Sequence, residues 1–322
     1  MEQTPLLIMG SPRSGTTFLS HMVNEFFDIH VCRDNGTLLR FHGNLAYYEP
    51  LSDPANLRWL LTHLFADHYF QERLVRRGLR LGPDEIMARV SRPTYGALID
   101  TIFGAIAAEH GKRMWGYKRA SFARVTGRQI DELFPTTKFV HIIRDAREVA
   151  LSMRRSGAAL ERSWHFAALD WVSHVTTGRF IGSQIGPERY LEIRYERFMA
   201  EPAEVLVEIL DFFGTGADHD ERAVRIQREI PDLVKKGNTE KWRRELSASG
   251  VRAVERVAGP LLTQLGYPLV NPEVSGSHVG MAENAWLQTE RVCRNLLQTR
   301  PSVLGRYRLE VLKAQWRARL RG

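Results

Sequence analysis

The sequence predicts an α/β fold, a three-layer sandwich in which a central parallel sheet is flanked by helices. Three candidate strands, near Leu6, Lys138 and Arg189, are each followed by a segment with helical periodicity, and the first two are apolar runs. Runs of this kind are typical of parallel strands that are buried on both faces. A glycine-bounded turn also joins the first run to its helix.

Each of the three units has a strand and a helix that can be delimited. The first has a strand over residues 5–9 and a helix from about Thr16 to Phe27. The second has a strand over residues 138–143 and continues into the helix AREVALSMRR. The third has a strand over residues 189–195 and the amphipathic helix AEVLVEILDFFG, which ends at Gly214 because glycine commonly terminates helices.

Two further segments lie outside this repeating pattern. Residues 38–115 contain helical stretches that Gly and Pro interrupt, so we expect a helical insertion that forms a lid or a substrate platform. Residues 273–322 are rich in arginine and form a predicted basic helical extension. This extension most simply packs back on the main domain, residues 1–272, and the alternatives are a peripheral membrane or glycan contact.

Composition narrows the class of protein without choosing its ligand. The chain has 322 residues, 43% apolar and 25% charged, which is typical of a globular protein. Its net charge of +8 favours anionic partners, namely a nucleotide, a sulfated glycan, nucleic acid or a membrane surface. No nucleic-acid-binding motif or aromatic stacking platform is present in the sequence, so we expect no nucleic-acid partner.

The cysteine content and the apolar runs indicate a cytoplasmic location. Cys32 and Cys293 are too few for a disulfide framework and lack the spacing of a zinc site, which favours a reducing compartment. No apolar run is long enough to span a membrane, and the N-terminus lacks the pattern of a signal peptide. One sequence leaves the oligomeric state undetermined.

The segment GSPRSGTT has the glycine spacing of a P-loop, with Gly10 and Gly15 separated by four residues. Its amides and the following helix N-terminus would bind an anion, which makes the predicted fold P-loop-like. Thr16 stands where a nucleotide triphosphatase has lysine, and the nearest cation is Arg13. Arg144 ends the second strand, where a magnesium site would need an acid, so Mg-ATP is a poor candidate ligand.

A second phosphate signal follows the second strand. Arg144 stands at the strand end and Ser152 lies about two turns into the next helix, so both can reach one phosphate. Taken alone, Arg144 is equally typical of a surface ion pair. Together with the glycine loop, the pair indicates a functional site.

Four segments, in this order, resemble the sulfotransferases that use 3′-phosphoadenosine 5′-phosphosulfate (PAPS): GSPRSGTTFL, WGYK, FPTTKFVHIIRDAREVALSM and RYLEIRYERFMAEP. The resemblance extends from Leu6 to Leu269 and is closest to the bacterial and tyrosylprotein-type branch, which also carries Arg in the loop. It implies PAPS as donor, 3′-phosphoadenosine 5′-phosphate (PAP) as product and no required metal. The helical insertion would then lie on the acceptor side.

The same resemblance implies a set of donor-binding residues: Pro12, Arg13, Ser14, Gly15, Thr16, Thr17, Arg144, Ser152, Tyr195, Lys241 and Trp242. Residues 12–17 would hold the 5′-phosphosulfate, and Arg144 with Ser152 the 3′-phosphate. Tyr195 matches a position near the adenine, although a tyrosine at a strand end is as often a core residue. Lys241 and Trp242 would complete the pocket, but the glycine-rich form of this closing motif is absent.

For catalysis, the resemblance implies that Arg13 and Lys118 stabilise the charge that builds on the departing diphosphate. An isolated lysine would otherwise be a solvated surface charge. The general base must lie within hydrogen-bond reach of the acceptor hydroxyl, and Asp34 is the first candidate. Asp34 also suits a turn, because Asn-Gly follows it. His42 and His165 are reserve candidates, and each is individually typical of a packed or surface histidine.

The sequence therefore predicts an enzyme that moves a sulfonate to a hydroxyl, less favourably an amine, of a carbohydrate, lipid or secondary metabolite. The segment RLVRRGLRL would suit an anionic glycan, or would be a solvated helix face. One alternative is a P-loop kinase or another nucleotide-dependent transferase. Another is a non-catalytic nucleotide-binding protein.

Overall fold

In the computed structural model the central sheet has five strands, and all neighbouring strands are parallel. The structure describes residues 5–33, 36–119, 130, 133–156, 163–214, 218–233 and 239–276. The strands, in the spatial order β2-β3-β1-β4-β5, are β1 Leu6–Met9, β2 Ile29–Cys32, β3 Met114–Arg119, β4 Lys138–Ile143 and β5 Tyr190–Arg194. The predicted parallel α/β sheet is confirmed.

The helices are numbered here in chain order. Six precede β3 or lie beside it: α1 Thr16–Phe26, α2 Thr37–His42, α3 Pro54–Ala66, α4 His68–Arg73, α5 Pro83–Arg89 and α6 Tyr95–Glu109. Seven follow β4: α7 Ala146–Arg155, α8 Trp164–Ile185, α9 Tyr195–Ala200, α10 Pro202–Phe213, α11 His219–Leu233, α12 Trp242–Glu245 and α13 Ala248–Gln264. Short 3-10 turns lie at Leu45–Tyr47, Val75–Arg77 and Pro272–Val274.

The alternation of side chains along β1 creates the three layers. Leu7 and Met9 belong to a core that packs against the helices of the insertion, α2 to α6. Leu6 and Ile8 face the other side and pack against α1, α10 and α11. Helices α7, α8 and α13 form a third core beside the end of β4. Because β1 is buried on both faces, its apolar run is continuous rather than alternating.

Two strands of the sheet, β2 and β3, were not predicted from the sequence. In β3 the aromatic side chains of Trp115 and Tyr117 are buried on one face, while Gly116 faces the other. A Cβ at Gly116 would lie 2.9 Å from the carbonyl oxygen of Leu6, so the close approach of β1 requires glycine there. A polar and glycine-containing strand of this kind lacks the apolar run used to find the others.

The other predictions for the fold have mixed outcomes. Residues 37–109 contain α2 to α6, which confirms the helical insertion, and Gly214 ends α10 with a φ of 96°. The third strand is one residue shorter at each end than predicted, because Tyr195 opens helix α9. Residues 277–322, with most of the predicted basic extension, lie outside the described residues. None of the helices in the described ranges is long and apolar enough to cross a membrane.

Candidate functional site

The glycine loop connects the carboxyl end of β1 to the N-terminus of α1. Gly15 caps α1 in the left-handed region, with φ 93°, and a Cβ there would lie 2.5 Å from the ring of Tyr195. Gly10 is equally constrained, because its Cβ would lie 2.5 Å from the carbonyl oxygen of Ile142. Arg13 also adopts a positive φ of 70°, and Ser14 N donates to Ser11 O at 3.1 Å. The loop therefore forms a compact turn that aims the first amides of α1 outward.

A cavity of about 660 Å³ opens in front of this loop, at the carboxyl edge of the sheet. We call it the loop cavity. The described residues that line it are Pro12, Arg13, Gly15, Thr16, Thr17, Phe18, His21, Lys118, Arg144, Glu148, Leu151, Ser152, Arg155 and Lys241. In open parallel sheets this edge is the usual place for a ligand. Cations predominate in the lining, and Glu148 is the one acidic side chain among these residues.

The two predicted phosphate motifs meet in the loop cavity. Arg13 Nε donates a hydrogen bond of 3.1 Å to Ser152 Oγ, which joins the loop to helix α7. Arg144 Nη1 donates to the backbone oxygen of Arg13 at 3.2 Å. Residues that are more than 130 positions apart in sequence thus line one cavity.

The buried carboxylate of Glu148 positions Arg144 and links it to Trp242, the first residue of helix α12. Glu148 Oε2 accepts from Arg144 Nη2 at 3.0 Å, and Glu148 Oε1 accepts from the backbone N–H of Trp242 at 3.0 Å. The Arg144 guanidinium also lies 4.2 Å from the centre of the Tyr195 ring. The side chains of Arg144 and Glu148 are only 9% and 4% exposed, so solvent screens the pair weakly. Glu148 was not predicted as a site residue.

A second buried arginine, Arg147, supports the floor of the loop cavity. It pairs with Asp145 at 2.7 Å and with Glu255 at 2.7 Å, and its guanidinium lies 3.8 Å from the centre of the Trp242 ring. Arg147 Nη1 also donates to the carbonyl oxygen of Pro268 at 2.9 Å. Arg147 thereby connects helix α7 to Trp242 of α12 and to Glu255 of α13.

Three of the predicted donor-binding residues are buried behind the cavity wall. Tyr195 and Trp242 are 4% and 3% exposed, and they pack against Gly15 and Arg147 respectively. Ser14 is fully buried, and its hydroxyl has no hydrogen-bond partner among the described residues. These three side chains support the walls, whereas the other eight predicted donor-binding residues line the loop cavity.

Lys118, near the end of β3, lines the loop cavity. Burial lowers the pKa of its ammonium group, and the charge of nearby Arg33 lowers it further. The same two causes, in the same order, lower the pKa of His21 on α1, so this imidazole is neutral at pH 7. His21 was missed from the sequence, although it lies four residues after Thr17 and therefore on the same helix face.

The histidines predicted as candidates for the general base do not line the loop cavity. Asp34 lies outside the described residues. His42 ends α2, with its ring centre 5.7 Å from that of Tyr95, and His165 lies in the first turn of α8. Neither histidine is among the residues that line the loop cavity, whereas His21 is. The structure thus adds His21 to the candidates.

The parallel sheet, with a glycine loop that opens a helix at its carboxyl edge, defines an α/β protein of the phosphate-binding class. The model of the sulfotransferase family matches residues 5–219, and the chain belongs to that family.

The individual relatives compared here have low sequence identity to this chain. A protein-tyrosine sulfotransferase of Drosophila melanogaster is 23% identical over 311 residues, which cover 89% of this chain and 55% of the relative. The chain thus spans about half the length of that protein. The sulfotransferase domain of the Synechococcus PCC 7002 olefin synthase is 21% identical, with a TM-score of 0.54 over 83% of this chain and 97% of that domain. This likeness shows a common fold. A mouse sulfotransferase complexed with PAP is 13% identical, with a TM-score of 0.46 over 83% of this chain and 86% of that one.

Proposed function

We propose that the protein transfers a sulfonate group from PAPS to a hydroxyl of an acceptor molecule. Membership of the sulfotransferase family supports this activity. The observation that carries the proposal is the junction of the two phosphate motifs: Arg13 bonds to Ser152, and Arg144 bonds to the backbone of Arg13, around one cavity. A nucleotide with phosphates at both its 5′ and 3′ positions requires two such motifs within one site.

The residues of the loop cavity fit such a donor. The amides at the start of α1, together with Arg13, suit the 5′-phosphosulfate. Arg144 and Ser152 suit the 3′-phosphate, and Lys241 stands at the cavity wall beside them.

Bound PAPS would supply an activated sulfonate, whose bond to the phosphate oxygen breaks as the acceptor oxygen attacks in line. Arg13 and Lys118 hold positive charge where negative charge builds on the leaving group. Glu148 fixes Arg144 in place, while Tyr195 and Trp242 pack the walls. His21 holds a neutral imidazole at the cavity and can take the acceptor proton, with Asp34 as the alternative base.

The proposed acceptor hydroxyl belongs to one of several classes of molecule. We retain a carbohydrate, a lipid or a secondary metabolite, with an amine as the less favoured group. The Drosophila relative is a protein-tyrosine sulfotransferase, so a tyrosine phenol joins the set of acceptors to be tested. A cytoplasmic location, the domain division at residue 272 and a membrane contact by the basic extension also remain proposals.

Calorimetric titration with PAP, against Mg-ATP, tests the donor. We expect PAP to bind and Arg144→Ala to weaken it by about a hundredfold, because a charge-assisted bond to phosphate is lost. Ser152→Ala should weaken PAP binding to a smaller extent, and it leaves the Arg144 pair intact. Arg154→Ala is the matched control, because Arg154 is on the same helix but is exposed and stacks on Trp164 outside the cavity.

Tighter binding of Mg-ATP than of PAP, or equal PAP affinity in the wild type and in Arg144→Ala, would overturn the proposal and favour the kinase alternative. Transfer of labelled sulfonate to an acceptor panel then separates an enzyme from a non-catalytic binding protein. The rate should persist when EDTA removes divalent metal.

His21→Asn tests the base. We expect transfer to fall by about a hundredfold or more, since general base catalysis contributes about that much, while PAP affinity changes little. The acidic limb of the wild-type rate profile should lie below pH 6.5, because the pKa of His21 is lowered. An unchanged rate in His21→Asn would return the role to Asp34.

A further inference from the structure

A second cavity, of about 550 Å³, lies beside the loop cavity, and His21 lines both. It is bounded by the end of β2, the 3-10 turn Val75–Arg77 and helix α6. Five arginines line it: Arg33, Arg73, Arg76, Arg77 and Arg80. We call this cavity the arginine pocket. Glu109 is the acidic side chain among the described residues that line it.

Few of these arginines pair with an acidic side chain among the residues that the structure describes. Arg76 pairs with Glu72 at 2.8 Å. Within the described part of the chain, the guanidinium groups of Arg73, Arg77 and Arg80 form no hydrogen bond or ion pair with a protein group. The N–H donors of these three guanidinium groups are therefore available to a ligand. Guanidinium groups bind phosphate, sulfate or carboxylate in a bidentate manner.

The charges of the arginine pocket are close enough to repel one another. Arg33 is half-buried and donates from Nη2 to Ser20 Oγ at 2.8 Å. Burial lowers the pKa of Arg33, and so do the charges of Arg77 and Arg73. The rings of His30 and His110 are in contact, with their centres 3.8 Å apart and their planes tilted by 55°. A bound anion would relieve this repulsion.

The arginine pocket is directly beside the groups proposed for sulfonate transfer. Cys32 pairs with Tyr117 in the parallel register, so Arg33 and Lys118 follow at neighbouring strand ends. Helix α1 separates the two cavities, and its His21 faces both. A molecule anchored by the arginines can therefore place a second group near His21 and Lys118.

We propose that the arginine pocket binds an anionic group carried by the acceptor, so that the substrates are small molecules or glycan units with a phosphate, sulfate or carboxylate. This inference rests on the proposed function and narrows its acceptor class. The volume exceeds that of a lone oxyanion and admits a sugar ring that carries one. The sulfonated hydroxyl is then a different group from the anchored one.

The test uses the full chain saturated with PAP, so that the loop cavity is filled. Glucose, glucose 6-phosphate, glucose 6-sulfate and glucuronate are titrated in turn. We expect the anionic sugars to bind and glucose not to bind. Arg77→Ala and Arg80→Ala should each weaken that binding by about tenfold, as expected for the loss of one charge-assisted contact. Arg89→Ala is the matched control, because it removes an exposed arginine of the insertion from outside the pocket.

The comparison of the three anionic sugars identifies which anion the pocket prefers. Labelled sulfonate should also be transferred to the preferred anionic sugar at least about tenfold more efficiently than to glucose. Binding of all four sugars alike, or equal losses in Arg77→Ala and Arg89→Ala, would overturn the proposal. If PAP itself fails to bind, the proposed function falls. If PAP binds and the anionic sugars do not, only the arginine-pocket assignment falls.

Discussion

Replacement of Glu148 by glutamine perturbs the loop cavity with almost no change in side-chain volume. Both carboxylate oxygens accept hydrogen bonds, one from Arg144 and one from the backbone of Trp242, each at 3.0 Å. A glutamine amide has one acceptor oxygen and one NH2 group. Whichever way the amide is oriented, its NH2 group faces one of the two donors, and the side chain at this position is only 4% exposed.

The expected cost follows from the burial of this pair. Hydrogen bonds to charged groups contribute about 1.5–3 kcal/mol, and breaking a buried ion pair costs about 3–5 kcal/mol. Since the oxygen of the new amide retains one of the two bonds, we expect Glu148→Gln to lose about 3 kcal/mol of unfolding free energy. At about 2 °C per kcal/mol for a chain of this size, Tm should fall by about 6 °C.

Thermal unfolding followed by circular dichroism, with urea titration for the free energy, measures this loss. Glu245→Gln is the control, because Glu245 forms an ion pair with Arg155 at an exposed position. Pairs of that kind contribute about 0–1 kcal/mol, so this variant should unfold close to the wild type. A loss below about 1 kcal/mol in Glu148→Gln, or equal losses in both variants, would refute the positioning role of Glu148.

Three further predictions concern the loop, the lysine and a buried histidine. Gly15→Ala should destabilise the chain by about 2 kcal/mol and weaken PAP binding, because φ is 93° and the added Cβ meets the Tyr195 ring at 2.5 Å. Transfer should decline with rising pH below 10.5, because burial and the charge of Arg33 lower the pKa of Lys118, and Lys118→Arg should move that decline to higher pH. Burial, with smaller contributions from neighbouring cations, lowers the pKa of His141 to about 3, so this ring stays neutral in the folded protein as pH falls through 6.5. The unfolded chain then binds the extra proton, and stability falls as pH decreases from 6.5 towards 3.

Each of these predictions has a direct measurement. For Gly15, urea unfolding and PAP titration are compared with Gly104→Ala, a glycine with no atom within 4 Å of its added Cβ. A PAP affinity in Gly15→Ala equal to that of the wild type would contradict the proposal that this loop binds PAP. For Lys118, an identical alkaline limb in Lys118→Arg would assign that limb to another group. For His141, NMR of the ring should show no titration near pH 6.5, and a titration there would contradict its burial as a neutral group.

The sequence predicted those parts of the fold that depend on residues close together along the chain. The strands β1 and β4 were predicted because each is a run of apolar residues, and β5 because its segment precedes an amphipathic helix. The loop from Gly10 to Thr17 was predicted because its spacing is local. Strand β3 was missed because Gly116 and Lys118 interrupt its apolar pattern, although Trp115 and Tyr117 alternate as a strand requires. The order of the strands depends on contacts between distant segments, which periodicity does not encode.

The same distinction explains the outcome for the site. Arg13, Arg144 and Ser152 were predicted from two local motifs, and the structure brings them together. The arginine pocket combines the end of β2 with residues of the insertion, so no continuous stretch of sequence displays it as a pocket. Its segment RLVRRGLRL was equally typical of a solvated helix face.

The spatial order of the strands has a consequence for how the chain acquires its fold. The strand that carries the phosphate loop, β1, lies in the centre of the sheet, and its partners begin only at Met114 and Lys138. During synthesis, β1 must therefore remain without hydrogen-bonded neighbours until more than 100 further residues have been made. Pairings over such separations close large loops and fold slowly. The helical insertion is made in that interval, and its early formation would shield one apolar face of β1 from aggregation until the sheet assembles.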